Sequence, residues 1–285
     1  MSKKRNTTED LTEKALPRLA FIGAGNMASC IVGGLVKNNY PADNIIISDP
    51  SSDKLTQLQQ QFNTMVSASN NEACQWAEVV ILAVKPQVMK TVATGIKPTL
   101  AHHPLIISIA AGITSRQLQH WLGDDIAIIR AMPNTPALVQ TGATGLYATP
   151  TVNAQQCAQA ETILNAIGFT AWVENESLID TVTAVSGSGP AYFFLLMEAM
   201  INAGIKQGLT RSIAEQLTLQ TALGAAELVK SSSIDVAELR RRVTSPGGTT
   251  EQAIQCFQKS CFEELVADAM SACAERSREL AKGFD

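Results

Sequence analysis

The feature that constrains this chain most is a glycine turn. Four apolar residues, Leu19–Ile22, run into Gly23-Ala24-Gly25-Asn26-Met27-Ala28, and a helical pattern comes next. Gly23 lets the chain turn tightly, and Gly25 lets backbone approach a pyrophosphate with no side chain between. Ala28, in place of a third glycine, still permits close packing of helix on strand. The helix start then offers free N–H groups and partial positive charge to phosphates. Alone, such a turn can be purely structural. Between a strand and a helix it predicts a dinucleotide site.

The chain around the turn has the matching texture. Apolar runs at Leu19–Ile22, Ile45–Ser48, Val79–Val84, Leu105–Ala110 and Ile126–Arg130 lack in/out alternation, as expected of parallel strands covered on both faces. Helical patterns at Ser52–Phe62, Gln87–Gly95 and Thr114–Leu122 separate them. The reading is α/β: an N-terminal Rossmann-type doubly wound sheet. A Gly/Thr-rich piece, Thr141–Thr149, leads to a helix near Asn153–Ile167 and a last strand near Thr170–Val173. Beyond Glu176 only helices are expected, at Ala191–Ala203, Arg211–Lys230 and Glu251–Lys282, the last broken near Ser260. The chain therefore divides into a flexible polar tail 1–17, a Rossmann domain 18–173 and an all-helical domain 174–285. The helix over Ala191–Ala203 is apolar nearly all round, which requires burial in a bundle or against another subunit.

Strand ends supply the candidate cofactor contacts, because ligands of open α/β sheets collect at the carboxyl ends of strands. Asp49, about 20 residues past the glycine turn, stands where an acidic side chain accepts from ribose hydroxyls and favours NADH. Ser48, Ser51, Ser52 and Lys54 surround it and could instead hold a 2′-phosphate, so NADH and NADPH both remain open. Asp49-Pro50-Ser51-Ser52 also reads as a plain turn and helix cap. Ala83-Val84-Lys85-Pro86 ends one strand and Arg130-Ala131-Met132-Pro133-Asn134-Thr135-Pro136 another, with Asn134 and Thr135 aimed at the same crevice.

In the helical part, Val185-Ser186-Gly187-Ser188-Gly189-Pro190-Ala191-Tyr192 is a turn with Pro190 suited to the first turn of a buried helix. Thr244-Ser245-Pro246-Gly247-Gly248-Thr249-Thr250-Glu251-Gln252 pairs Thr249 with Gln252 as a capping box. Its two glycines leave several backbone N–H groups free for a small carboxylate, and the Thr250 hydroxyl can bond a polar atom of the same ligand.

Composition removes other classes. A net charge of −4 argues against nucleic acid or an anionic membrane as partner. The start lacks the apolar core of a secretory signal, and the apolar stretch 191–197 is too short to span a bilayer. Cys30, Cys74, Cys157, Cys256, Cys261 and Cys273 form no CxxC pair, and His102 and His103 precede Pro104 in a loop. No metal is expected, and the thiols suit a reducing cytoplasm.

The combination GAGNMA, AVKP, SIAAG, RAMPNTPA, SGSGPAY and SPGGTT resembles pyrroline-5-carboxylate reductase from about residue 18 to 280. That resemblance implies NAD(P)H-dependent reduction of 1-pyrroline-5-carboxylate to proline. It implies an all-helical dimerisation domain, a homodimer through it, and larger rings of dimers. It also assigns residues. Ile22, Gly23, Ala24, Gly25, Asn26, Met27, Ala83, Val84, Lys85 and Pro86 would bind the cofactor, with Asp49, Ser51 and Asn70 near the adenosine ribose. Ser245, Gly247, Gly248, Thr249 and Thr250 would hold the substrate, with Thr250 orienting the ring nitrogen. Asp49 stands where some relatives carry a neutral residue, so their NADPH preference does not transfer. The rival readings are a two-domain β-hydroxyacid dehydrogenase, which would need Lys206 or Lys230 as its catalytic lysine, and a non-enzymatic dinucleotide sensor.

Overall fold

A computed structural model describes residues 16–283. The expected tail 1–17 therefore lies outside the described residues except for Leu16 and Pro17. The chain forms two compact units: one runs to Ala131 and includes Ala148–Gly168, and the other comprises Met132–Tyr147 and Phe169 onward. The expected boundary near residue 173 thus differs from the observed division by a few residues. The division also assigns the loop after Pro133 to the helical unit.

In the first unit β1 (Leu19–Ile22), α1 (Asn26–Lys37), β2 (Ile45–Ser48), α2 (Ser52–Phe62), β3 (Met65–Ser67) and α3 (Asn70–Trp76) make the first half. The second half is β4 (Val79–Leu82), α4 (Pro86–Ile96), β5 (Leu105–Ser108), α5 (Ser115–Leu122), β6 (Ile128–Met132) and α6 (Ala154–Asn165). The strands run in the order β3-β2-β1-β4-β5-β6, and every pair among them is parallel. Order reverses between β1 and β4, which is where a doubly wound sheet opens its ligand crevice. All residues of β1, β2, β4 and β5 are buried, explaining why their sequences are apolar apart from the closing serines Ser48 and Ser108. Each Val, Leu, Ile or Phe side chain among them contributes roughly 1.5–3 kcal/mol on burial. Register aligns the strand ends: Ile22 pairs with Ser48 on one side and Leu82 on the other. The carboxyl ends of β1, β2 and β4 therefore lie side by side, carrying Gly23, Asp49 and Ala83.

In the second unit β7 (Gly142–Ala148) and β8 (Gly168–Trp172) are neighbours. A short leader, α7 (Leu178–Val182), precedes the helices α8 (Gly189–Lys206), α9 (Arg211–Ser231), α10 (Val236–Arg242), α11 (Thr249–Lys259) and α12 (Phe262–Lys282). A π-helical turn, Thr183–Gly187, joins α7 to α8, so the segment expected to be a flexible turn is helical. Cys261 adopts a left-handed conformation (φ 54°), which breaks the last helical stretch next to Ser260. Two polar contacts tie this stretch to α12: Ser277 Oγ donates to Asp180 Oδ1 of the leader at 2.6 Å, and Ser188 Oγ, at the start of α8, meets Cys273 Sγ at 3.2 Å.

The expected cover of α8 is a bundle or another subunit, and the described chain leaves the second of these. Within this chain α8 is not buried: only Gly189 is, while Phe193, Phe194 and Leu195 are 64%, 61% and 68% exposed. An all-round apolar helix demands cover, and the described elements of this chain do not supply it. The apolar stretch 191–197 lies inside a longer helical run. The helical run Leu178–Lys206 is long and apolar enough, by length and composition, to cross a membrane. It exceeds the stretch 191–197 because the π turn keeps the backbone helical from α7 through Gly187 into α8.

Candidate active site

Gly23 has φ 106°, a conformation that side chains resist, and a Cβ there would lie 2.8 Å from the Ala83 carbonyl oxygen. Its N–H donates to Ser48 O at 2.7 Å, while Ala83 N–H donates to Ile22 O at 2.8 Å. Gly23 is thus a structural necessity that brings the two expected cofactor segments, 22–27 and 83–86, into contact. Gly25 differs. It caps α1 in an extended conformation, and a Cβ added there meets no atom within 4 Å. The space above it leads to the N–H groups at the start of α1, whose first intrahelical bond is Ser29 N–H to Gly25 O at 3.0 Å. That combination fits a pyrophosphate held by backbone donors and the helix dipole.

Asp49 is buried at the end of β2, with 8% exposure. Its Oδ2 accepts from Ala24 N–H at 2.9 Å and its Oδ1 from Ser51 N–H at 3.0 Å. Lys54 Nζ lies 3.8 Å from Oδ2. Next to it, Ser48 Oγ donates to Asn70 Oδ1 at 2.7 Å, so Asn70 reaches the same strand end from the start of α3. Lys85 is exposed and caps α4, with Pro86 in the helix's first turn. Burial pushes the Cys30 thiol pKa up on α1.

Asn134 belongs to the second unit and its amide is already engaged there. Nδ2 donates to Ser186 O at 2.9 Å, and Oδ1 accepts from Ala143 N–H at 2.9 Å. The side chain ties the loop after β6 to β7 and to the π turn. Composition could not reveal that role, because both partners are backbone groups distant in sequence.

Ser245–Gly248 is a β-turn closed by Gly248 N–H to Ser245 O at 2.9 Å. Pro246 at its second position and Gly247 at its third, with φ 70°, make it type II. A Cβ on Gly248 would stand 2.9 Å from Ser245 O, so both glycines serve the turn. The expected capping box is absent. Gly248, in extended conformation (φ −84°, ψ 169°), is the cap of α11, and Thr249 is already helical with no side-chain cap bond. Glu251 performs the reach-back instead: Gly247 N–H donates to its Oε2 at 2.8 Å. The N–H groups of Gly247 and Gly248 are therefore occupied, and those of Thr249, Thr250 and Glu251 remain at the helix start for an anion. Tyr192, on α8, has its phenol pKa raised by burial first and then by Cys273 beside it. Among the described residues no cluster of three His, Cys, Asp or Glu side chains could hold a metal.

A parallel sheet with its reversal at a glycine turn, together with a helical unit, defines a dinucleotide-binding protein of the Rossmann class. Residues 18–112 match the family described as NADP oxidoreductase, coenzyme F420-dependent, and residues 176–280 match pyrroline-5-carboxylate reductase dimerisation. The Pseudomonas aeruginosa pyrroline-5-carboxylate reductase is 54% identical over 266 residues, 93% of this chain and 97% of that protein. The structure of the Coxiella burnetii enzyme superposes with a TM-score of 0.91 at 43% identity, covering 94% of this chain and 99% of that one. A Plasmodium falciparum pyrroline carboxylate reductase solved with NADP bound gives 0.83 at 32% identity, covering 93% and 98%. The chain belongs to the pyrroline-5-carboxylate reductase family.

Proposed function

We propose that this chain reduces 1-pyrroline-5-carboxylate to L-proline, the last step of proline biosynthesis, with NADH or NADPH as donor. The observation that carries the reading is the type II turn Ser245–Gly248, which opens onto the unpaired N–H groups of α11 in a chain 54% identical to such a reductase.

Ile22–Met27 and Ala83–Pro86 hold the dinucleotide, with Asp49, Ser51 and Asn70 at its adenosine ribose. The reduced nicotinamide supplies a hydride to the C=N carbon. Ser245, Gly247 and Gly248 shape the turn, and the N–H groups of Thr249 and Thr250 grip the substrate carboxylate. The Thr250 hydroxyl orients the ring nitrogen by hydrogen bonding. An imine nitrogen is basic enough to arrive protonated or take a proton from water, so no strong acid is needed. This suits a segment, 174–285, that contains no histidine. Holding two reactants in near-attack geometry is worth roughly 7–11 kcal/mol in favourable cases, enough to carry most of the catalysis. Asn134 serves the loop's architecture rather than the cofactor.

A homodimer through the helical unit gives α8 the cover it lacks, and rings of dimers are a further step that light scattering measures. A cytoplasmic location is supported by six cysteines that are all free thiols. Oxidation of NADH and NADPH with pyrroline-5-carboxylate, with proline identified as product, tests the reading. Turnover with neither cofactor leaves a dinucleotide sensor. Turnover only with hydroxyacids leaves a dehydrogenase.

A further inference from the structure

We infer that Pro190 and Asn134 work as a pair that positions the reacting groups: Pro190 denies the Ser186 carbonyl its helical partner, and the Asn134 amide, on the loop after β6, takes that carbonyl instead. The inference rests on the proposed reduction and adds two positioning residues to it. In an α-helix the Ser186 carbonyl would accept from the N–H four residues on, and there Pro190 has none. A proline ring also crowds the carbonyl four residues back. The chain answers with the π turn Thr183–Gly187, closed by Ser188 N–H to Thr183 O at 2.8 Å. Asn134 Nδ2 donates to Ser186 O at 2.9 Å, and its Oδ1 accepts from Ala143 N–H at 2.9 Å. One side chain therefore joins the π turn to β7 and to the strand-end loop.

A proline that merely opens a helix removes an N–H that has no partner to lose. Here the backbone is already helical from Leu178 to Gly187, so a carbonyl stands in place to be left over. Gly187 lets the turn sit close, since a Cβ there would stand 2.8 Å from Met132 Cε. Met132 ends β6, a parallel strand, and folds of this kind hold their ligands at the carboxyl ends of such strands. Either side of the turn is fastened to α12, by Ser277 Oγ to Asp180 Oδ1 at 2.6 Å and by Ser188 Oγ to Cys273 Sγ at 3.2 Å. With both sides held, the Asn134 bond sets where Ser186 and Gly187 lie against the loop.

Steady-state kinetics and chemical denaturation of the wild type, Pro190→Ala, Asn134→Asp and the double variant test the pair. Alanine returns an N–H to the position, so the Ser186 carbonyl can pair within the backbone and release Asn134. In Pro190→Ala kcat should fall about ten- to a hundredfold, the scale of a misplacement of about 1 Å, with KM for pyrroline-5-carboxylate little changed. Its Tm should stay close to that of the wild type, because the regained backbone bond offsets the lost stiffness of proline. A purely structural proline would show the opposite split, a lower Tm with kcat intact. Asn134→Asp keeps an acceptor for the Ala143 N–H but offers no donor to Ser186 O, and should lower kcat to a similar degree; it guards against a Pro190 variant that fails to fold. In the double variant the second substitution should add less than about twofold, since both act through one carbonyl. An unchanged kcat in either single variant, or effects that multiply, overturns the inference. Denaturation midpoints of the same four proteins read the pair without turnover: non-additive shifts are expected, and additive ones overturn it. A folded wild type that reduces no pyrroline-5-carboxylate sinks the reductase reading itself, which is a separate outcome.

Discussion

Gly247 N–H donates to the Glu251 carboxylate at 2.8 Å, so the turn that precedes α11 is fastened to the helix it opens. Without that bond the turn keeps only the Gly248 N–H to Ser245 O contact. Glu251→Ala should therefore raise KM for pyrroline-5-carboxylate by about two- to fivefold, the worth of an exposed carboxylate at a helix start, with kcat little changed. Glu251→Gln, which keeps an acceptor oxygen, should recover most of the loss. A lower KM in Glu251→Ala would show that the carboxylate competes with substrate instead of bracing the turn.

The two glycines of the first turn should fail differently. Gly23→Ala places a Cβ 2.8 Å from a backbone oxygen at φ 106°, so the folded state should lose at least about 1–3 kcal/mol. For a chain of this size each kcal/mol lowers Tm by at most about 2–4 °C. Gly25→Ala meets nothing within 4 Å and should melt as the wild type does, yet bind dinucleotide at least about tenfold more weakly by titration. Undiminished binding in Gly25→Ala would place the pyrophosphate elsewhere.

Asn134 offers a test between architecture and cofactor contact. Asn134→Ala leaves the Ser186 carbonyl and the Ala143 N–H without their partner, at about 1–3 kcal/mol for each group that stays buried. Chemical denaturation should show a lower midpoint. An unchanged midpoint together with lost dinucleotide binding would return Asn134 to the cofactor.

Thr250→Ala should lower kcat/KM about 10- to 100-fold, the worth of one hydrogen bond to a charged nitrogen. Thr250→Ser keeps the hydroxyl and should restore most of it. Full activity in the alanine variant would mean that the nitrogen is oriented by another group.

Strands buried on both faces are legible without any structure, and β1, β2 and α2 fall at the residues their sequence patterns mark. β3 escapes such reading because Met65-Val66-Ser67 is three residues long and only half-buried, too short to show a period. β7 hides in a Gly/Thr-rich stretch whose strand character comes from its neighbours. α10 is seven residues, mostly charged, with nothing buried, so no apolar face announces it. At the site, Gly23, Gly25 and Asp49 are visible from spacing, because each answers a backbone or charge requirement set by the glycine turn. The Glu251 contact is within reach of sequence reasoning, being four residues from Gly247, but Thr249 and Gln252 offer a more familiar cap. The cover of α8 is beyond one chain's pattern: the sequence demands burial and does not name the surface that provides it.

In the proposed reaction the N–H groups of Thr249 and Thr250, at the start of α11 just past the Ser245–Gly248 turn, grip a carboxylate. Comparing kcat/KM for pyrroline-5-carboxylate with that for 1-pyrroline, the same ring without its acid group, tests it most directly. The carboxylate-free imine should react on the order of a hundredfold or more slowly, as expected when two charge-assisted N–H contacts are lost. Equal values for the two imines would contradict the account.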